Sequence, residues 1–189
     1  MKIEQLTAES GAARLEELGA LLLDAVAHGA SIGFMAGDTR EDAAAYWRKI
    51  LAELPGGARV LLGAFDAAGR LLGAAQLALA MRTNGRHRAE VQKLLVFHAA
   101  RRRGIGAALM ARLETEARTF GRTRLHLDTS VGEAGAVEFY KRLGYVVCGG
   151  IPDWAANPDG VFVPNVIFHK RLASGCERPG GVSTGRGAG

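Results

Sequence analysis

Hydrophobic and polar positions change period several times along this chain, and each change marks a new element. Lys2–Leu6 alternates and predicts a short strand, after which residues 11–28 carry Leu15, Leu18, Leu22, Ala25 and Val26 at helical spacing. Three glycines in residues 29–37 end that helix. Asp38 followed by Thr39-Arg40-Glu41-Asp42 predicts an N-cap with an acidic first turn, opening a second helix that runs to about Glu53 and stops at Pro55-Gly56-Gly57. From there the period is that of strands: Arg59–Phe65, 70–81 and 88–97 are apolar or alternating runs, separated by Asp66-Ala67-Ala68-Gly69 and Thr83-Asn84-Gly85. They predict three antiparallel strands. An Arg- and Gly-rich loop leads to a helix over 104–120, with Ile105, Leu109, Leu113, Ala117 and Phe120 on one side. A strand over 124–129, a short helix over 134–143 and strands over 145–151 and 163–170 complete the pattern.

This order predicts an α/β (α+β) domain over residues 1–172, built on a mixed, mostly antiparallel seven-stranded sheet flanked by about four helices. The crossover helix 104–120 makes the strands on either side of it parallel. Residues 173–189 contain six glycines, one proline and almost no apolar side chains, which predicts a disordered tail outside the domain.

Composition narrows the setting. The 189 residues match one domain. No uncharged apolar run approaches the ~18 residues of a membrane helix, so a membrane partner is not expected. The N-terminus lacks the apolar core of a secretory signal, and two cysteines, Cys148 and Cys176, give no disulfide framework or zinc spacing; both points suggest a reducing cytoplasm. Cys148 reads as a small buried apolar residue. The five histidines show no metal-ligand spacing, so no metal is expected.

The net charge of +5 is unevenly placed: residues 1–81 carry −3, residues 82–124 carry +8, and the remainder is neutral. A basic centre between acidic and neutral flanks points to one localised anionic ligand rather than to nucleic acid, for which no zinc finger, RNP-like strand or helix-turn-helix is present.

The sharpest motif lies in that centre: Arg101-Arg102-Arg103-Gly104-Ile105-Gly106-Ala107, between an apolar strand and an amphipathic helix. The first N–H groups of a helix lack intrahelical partners, and glycines let an anion approach them, so the loop reads as a phosphate cradle with bidentate arginine donors beside it. A P-loop is excluded, because Gly106-Ala107-Ala108 offers neither the lysine nor the hydroxyl. A dinucleotide fingerprint is incomplete: Leu109 stands where its third glycine belongs, although Asp128 lies where a ribose-binding acid would. An oxidoreductase using this loop is therefore the alternative enzyme class. His126, Asp128 and Ser130 make no hydrolase triad without a Gly-x-Ser-x-Gly elbow.

Read as Arg101-x-x-Gly104-x-Gly106 after the strand Leu94-Leu95-Val96, the segment resembles motif A of the GNAT N-acetyltransferases, and residues 136–145, AVEFYKRLGY, resemble motif B. Residues 29–35, 88–94, 125–129 and 157–160 are similar to the branch of that family that acetylates an amino-acid β-lactam toxin of the tabtoxinine type. Three positions depart from common family usage: His98 replaces a proline, Arg102 a glycine and Glu133 an asparagine. The resemblance implies acetyl-CoA as cofactor, held at Arg101, Arg102, Arg103, Gly104, Ile105, Gly106 and Ala107 through its pyrophosphate. Its pantetheine would run along Leu94, Leu95 and Val96 like an added strand, close to Tyr140.

The implied reaction is attack of a small-molecule primary amine on the thioester; a polyamine or protein amine is the alternative acceptor. Tyr140 is then the expected general acid, a backbone N–H at about Val96 the oxyanion donor, and Glu90 and Asp128 the candidate bases. An ordinary Glu near ~4.3 and an α-amine near ~8 differ by about 5 kcal/mol in proton affinity. The acids must therefore have raised basicity, work through water, or hold the ammonium. Phe34, Gln92 and Trp154 join Glu90 and Asp128 as expected acceptor contacts, with Trp47 a further candidate for the pocket or the core. A monomer or a homodimer is equally compatible with the sequence.

Overall fold

The computed structural model describes residues 1–131 and 135–173. Seven strands form one sheet in the order β1-β2-β3-β4-β5-β9-β6, from β1 (Lys2–Leu6), β2 (Arg59–Phe65), β3 (Leu71–Leu79), β4 (Arg88–Val96), β5 (Arg124–Ser130), β6 (Val146–Gly149) and β9 (Asn165–Arg171). Every junction is antiparallel except β4 with β5, as the crossover requires. A doubly wound dinucleotide fold needs a mostly parallel sheet, so the oxidoreductase alternative does not fit this topology.

Among the described residues, five α-helices cover the sheet. On one face lie α1 (Ala8–Ala12), α2 (Leu15–Ala27) and α3 (Arg40–Glu53), packing Leu18, Leu21, Leu22, Trp47 and Ile50 against Leu61, Phe65, Ala74 and Leu95. On the other lie α4 (Ile105–Thr119) and α5 (Ala136–Arg142), where Ile105, Leu109, Met110 and Leu113 meet Val60, Leu62, Leu77, Val91, Leu127 and Phe168. Each face thus has its own apolar layer, which is what alternation along two-sided strands demands.

Several details differ from the sequence reading. The first helix starts earlier and is split, because Thr7 and Ser10 form a reciprocal cap that opens α1 and the chain then turns at Ala13 and Arg14 before α2. This split makes five helices rather than four. Thr39, not Asp38, caps α3, exchanging bonds with Asp42, while Asp38 accepts from the Met35 N–H at 2.7 Å and closes the preceding loop. Trp47 is fully buried between α3 and the sheet and belongs to the core, not a pocket. Cys148 is exposed: it lies on β6, the edge strand, where no layer covers the sheet. A small ribbon of β7 (Ala155–Ala156) and β8 (Phe162–Val163) occupies the stretch before β9. Residues 174–189, most of the expected tail, and Glu133 lie outside the described residues.

The feature that positions the site is a break in β4. Gln92 pairs with Gln76, but Leu95 pairs with Ala74, so Lys93 and Leu94 together oppose Ala75 in a β-bulge. Lys93 takes φ +48°, a left-handed conformation uncommon for a side-chain-bearing residue. Facing parity flips there: Val91 packs under α4, whereas Leu95, four residues on, packs under α2. The partner strand accommodates the bend with a glycine, since a Cβ on Gly73 would stand 2.6 Å from the Leu95 carbonyl oxygen. Gly73→Ala is expected to lower unfolding free energy by about 1–3 kcal/mol, measured by urea denaturation, because the obstructing atom is backbone and cannot rotate away.

Candidate active site in the opening between two strands

Beyond the bulge, β4 and β5 separate. Their parallel pairing covers only Arg88 with Arg124, Ala89 with Leu125 and Glu90 with His126. Because the Phe97 N–H donates to the Leu72 carbonyl at 3.0 Å, strand alternation turns the peptide groups of Leu94 and Val96 the other way, into the opening. The Val96 carbonyl there accepts from Arg101 Nε at 3.3 Å. Two edges of backbone thus face a wedge that could take an extended ligand as an additional strand.

The Arg-Gly loop closes the mouth of this wedge. Arg101, Arg102, Arg103 and Gly104 are exposed, Arg102 and Gly104 have φ +60° and +78°, and α4 begins without a side-chain cap. The first bond of the helix runs from the Ala108 N–H to the Gly104 carbonyl, which leaves the N–H groups of Ile105, Gly106 and Ala107 without intrahelical acceptors. Nothing stands within 4 Å of where a Gly104 side chain would begin. An anion can therefore reach these donors, and the helix dipole and three guanidiniums favour it. His98 fastens the loop to α2: its N–H donates to Asp24 at 2.7 Å and its ring stacks on His28 at 3.8 Å.

On the α4 face, a methyl on Gly106 would lie 3.4 Å from the Phe139 ring, so α5 abuts the start of α4. Tyr140 follows Phe139 and packs beside Tyr145 and Phe168 with ring centroids 6.0 and 5.6 Å away.

The α3 face carries the acids. Glu90 is half-buried on β4, and Asp128 on β5 lies two residues beyond the position paired with Glu90, where the strands have parted. Asn165, almost fully buried on β9, donates to Asp128 at 3.2 Å and accepts from the Ile151 N–H at 2.8 Å. Gln92 accepts from Arg59 at 2.7 Å; the same Arg59 nitrogen bonds Gln76, Arg59 Nε bonds Glu53 at 3.0 Å, and Gln76 donates to the Tyr46 hydroxyl at 3.0 Å. Tyr46 meets Phe34 edge-on at 5.5 Å. The loop bearing Phe34 is tied to the β7–β8 ribbon by Ser31 Oγ to the Ala156 carbonyl at 3.0 Å and by the Ala36 N–H to the Pro158 carbonyl at 3.2 Å. Trp154 leads into that ribbon and is 53% exposed.

Sequence reasoning missed Arg59, Tyr46, Asn165 and above all Lys93. The bulge places Lys93 on the same face as Gln92, with its ammonium 5.6 Å from the centre of the Tyr46 ring. Among the described residues that ammonium has no hydrogen-bond or ion-pair partner. Burial holds its pKa below the ordinary lysine value, against the pull of Asp128 and Glu90 and with a push from Arg59. The sequence signal was the interrupted alternation Glu90-Val91-Gln92-Lys93-Leu94-Leu95, two polar residues followed by two apolar ones.

Comparison with known proteins places this arrangement. The family model for the acetyltransferase (GNAT) family matches residues 23–145, most of the chain, including the wedge, the Arg-Gly loop and Tyr140. The chain belongs to the GNAT family of acetyltransferases. A curated relative, an IAA acetyltransferase from Azospirillum brasilense, is 33% identical over 86 residues, covering 46% of this chain and 56% of that protein; the chain thus spans just over half the relative's length. Among solved structures, a ribosomal-protein-alanine N-acetyltransferase from Brucella melitensis superposes with TM-score 0.75 at 24% identity, covering 91% of this chain and all of that one. An acetyltransferase from Salmonella typhimurium, solved with its cofactor acetyl-CoA, superposes with TM-score 0.72 at 20% identity over 94% and 97% of the two chains. These likenesses establish the GNAT fold. Among the described residues no group of three His, Cys, Asp or Glu is placed to hold a metal, and no helix is long and apolar enough to cross a membrane.

The stability cost of Lys93 gives a direct check. With a folded pKa below the unfolded one, the unfolded chain binds more protons between the two values, so wild-type stability rises with pH across that window. Lys93→Met is expected to be more stable than wild type at pH 7, on the order of 1 kcal/mol, and the gap should narrow as pH climbs toward the ordinary lysine pKa. Urea denaturation from pH 7 to 10 measures it.

Proposed function

We propose that this GNAT protein transfers the acetyl group of acetyl-CoA to the primary amine of a small molecule, an amino-acid-like β-lactam of the tabtoxinine type being one such acceptor. The observation that carries this reading is the wedge: β4 exposes peptide groups to it, the uncapped start of α4 and three arginines stand at its mouth, and it opens onto two acids on the far face. Bound there, acetyl-CoA supplies an activated thioester.

The chain's own residues would do the rest. Arg101 to Ala107 hold the pyrophosphate, and Leu94 to Val96 pair with the pantetheine amides through the groups that β5 leaves unpaired. An N–H of Leu94 or Val96 takes the negative charge that develops on the carbonyl oxygen. Glu90 and Asp128 hold the acceptor's ammonium and pass its proton to water, so that the nitrogen lone pair can form the new C–N bond. Tyr140, on the α4 face, gives its proton to the departing thiolate as the C–S bond breaks. Asn165 orients Asp128, and Phe34, Gln92 and Trp154 line the acceptor side.

A small acceptor is favoured because the ribbon at 155–163 is hydrogen-bonded across to the loop carrying Phe34, a bridge between two segments beside the acid-bearing face. An extended protein segment would need that face open.

Calorimetry is expected to show CoA binding and no NAD binding; absence of CoA binding would overturn the assignment. With a panel of amines and acetyl-CoA, Tyr140→Phe should lower kcat by about 10²–10⁴-fold with little change in CoA affinity. Full retention of kcat would remove Tyr140 as the acid. Glu90→Gln and Asp128→Asn should each lower kcat/KM and displace its rise with pH, and unaltered profiles in both would exclude them.

A further inference from the structure

Lys93 has no role in the reaction just described, yet the fold goes to some length to present it. A bulge and a left-handed backbone at a residue with a side chain put this lysine, rather than an apolar residue, on the acid-bearing face beside Gln92. The second cation there, Arg59, is already bonded to Glu53, Gln76 and Gln92 at 2.7–3.0 Å. Lys93 is not so held: it is partly buried, rests near the face of Tyr46, and makes no hydrogen bond or ion pair among the described residues. Glu90 and Asp128 are the acids that influence it, and neither comes within salt-bridge distance of its nitrogen. A partly desolvated ammonium with no acceptor on the protein has its donors available for an incoming anion.

We infer that Lys93 is the anchor for an acidic group on the acceptor, so that the acceptor is a compact zwitterion: its ammonium lies against Glu90 and Asp128, and its carboxylate, or another small anionic group, accepts from Lys93. This rests on the acetyltransferase reading above and sharpens it. Glu90 and Asp128 alone would suit any amine, including a polyamine. Adding Lys93 to the same face repels a second cation on the acceptor and rewards an anion close to the reacting nitrogen. Lys93 is thus a specificity residue and takes no proton in the transfer.

The test compares an amino acid with its own carboxamide. In the first arm, CoA-loaded wild-type protein is titrated calorimetrically with N-acetyl amino acids, the products of the proposed reaction, and with their carboxamides. The free acids are expected to bind at least ~10-fold more tightly, the factor that one charge-assisted contact supplies. In Lys93→Met, which keeps the side-chain length and the bulge, the acids should fall to the level of the amides while the amides are unchanged; Lys93→Arg should restore most of the difference. In the second arm, steady-state transfer from acetyl-CoA should show the loss as a raised KM for free amino acids at nearly constant kcat. Equal binding of acid and amide by wild type, no binding of either, or retained discrimination in Lys93→Met would each overturn the inference. The acetyltransferase reading stands or falls separately, on CoA binding in the loading step and on transfer to any amine.

Discussion

Everything at this site depends on β4 ceasing to pair with β5. Two parallel strands held together along their length would leave no unsatisfied peptide groups and no passage between the faces of the sheet. The bulge at Lys93 and Leu94 prevents that. It bends β4, reverses which side chains face which helices, and leaves the peptide groups of Leu94 and Val96 aimed at a gap. The cost is a residue in left-handed backbone and a partner strand that must carry glycine at position 73. Strain of this kind persists where the surrounding packing over-determines it, and here a separate apolar layer on each face does so.

The opening divides the chemistry by charge. On one face the start of α4 and the exposed arginines 101–103 form a cationic mouth; on the other, Glu90 and Asp128 are acidic, with Lys93 set among them. The sheet keeps the two apart and lets them meet only through the wedge. Much of the basic segment found in the sequence serves other ends. Arg112 and Arg118 are paired with Glu116 and Glu114 along α4, Arg124 contacts His169, and Arg122 is buried, so the cationic character at the mouth rests on the loop arginines and the helix terminus.

Strand and helix periods revealed the element order and the parallel junction, because the strands inside the sheet are buried on at least one face and their alternation is enforced by an apolar layer. Helix starts were less legible. The cap at Thr7 uses Ser10 where the common reciprocal partner is Glu or Gln, and Asp38 stands directly before Thr39, the residue that caps α3, so a good cap residue one position early drew the expectation. The β7–β8 ribbon was invisible, since two-residue strands have no period. At the site, the Arg-Gly loop was legible because its chemistry is local in sequence. Arg59, Tyr46, Asn165 and Lys93 were not, since each matters through contacts across the sheet or through the bulge that redirects it. Cys148 was misread because nothing local marks an edge strand, which depends on sheet order alone.

The most direct measurement is residue-resolved amide hydrogen exchange with and without acetyl-CoA. If the bulge makes the donor site, added acetyl-CoA will slow exchange at Leu94 and Val96 and across residues 102–107, while Leu95, already turned toward β3, changes little. Protection confined to other segments, or none at Leu94 and Val96, would contradict the account.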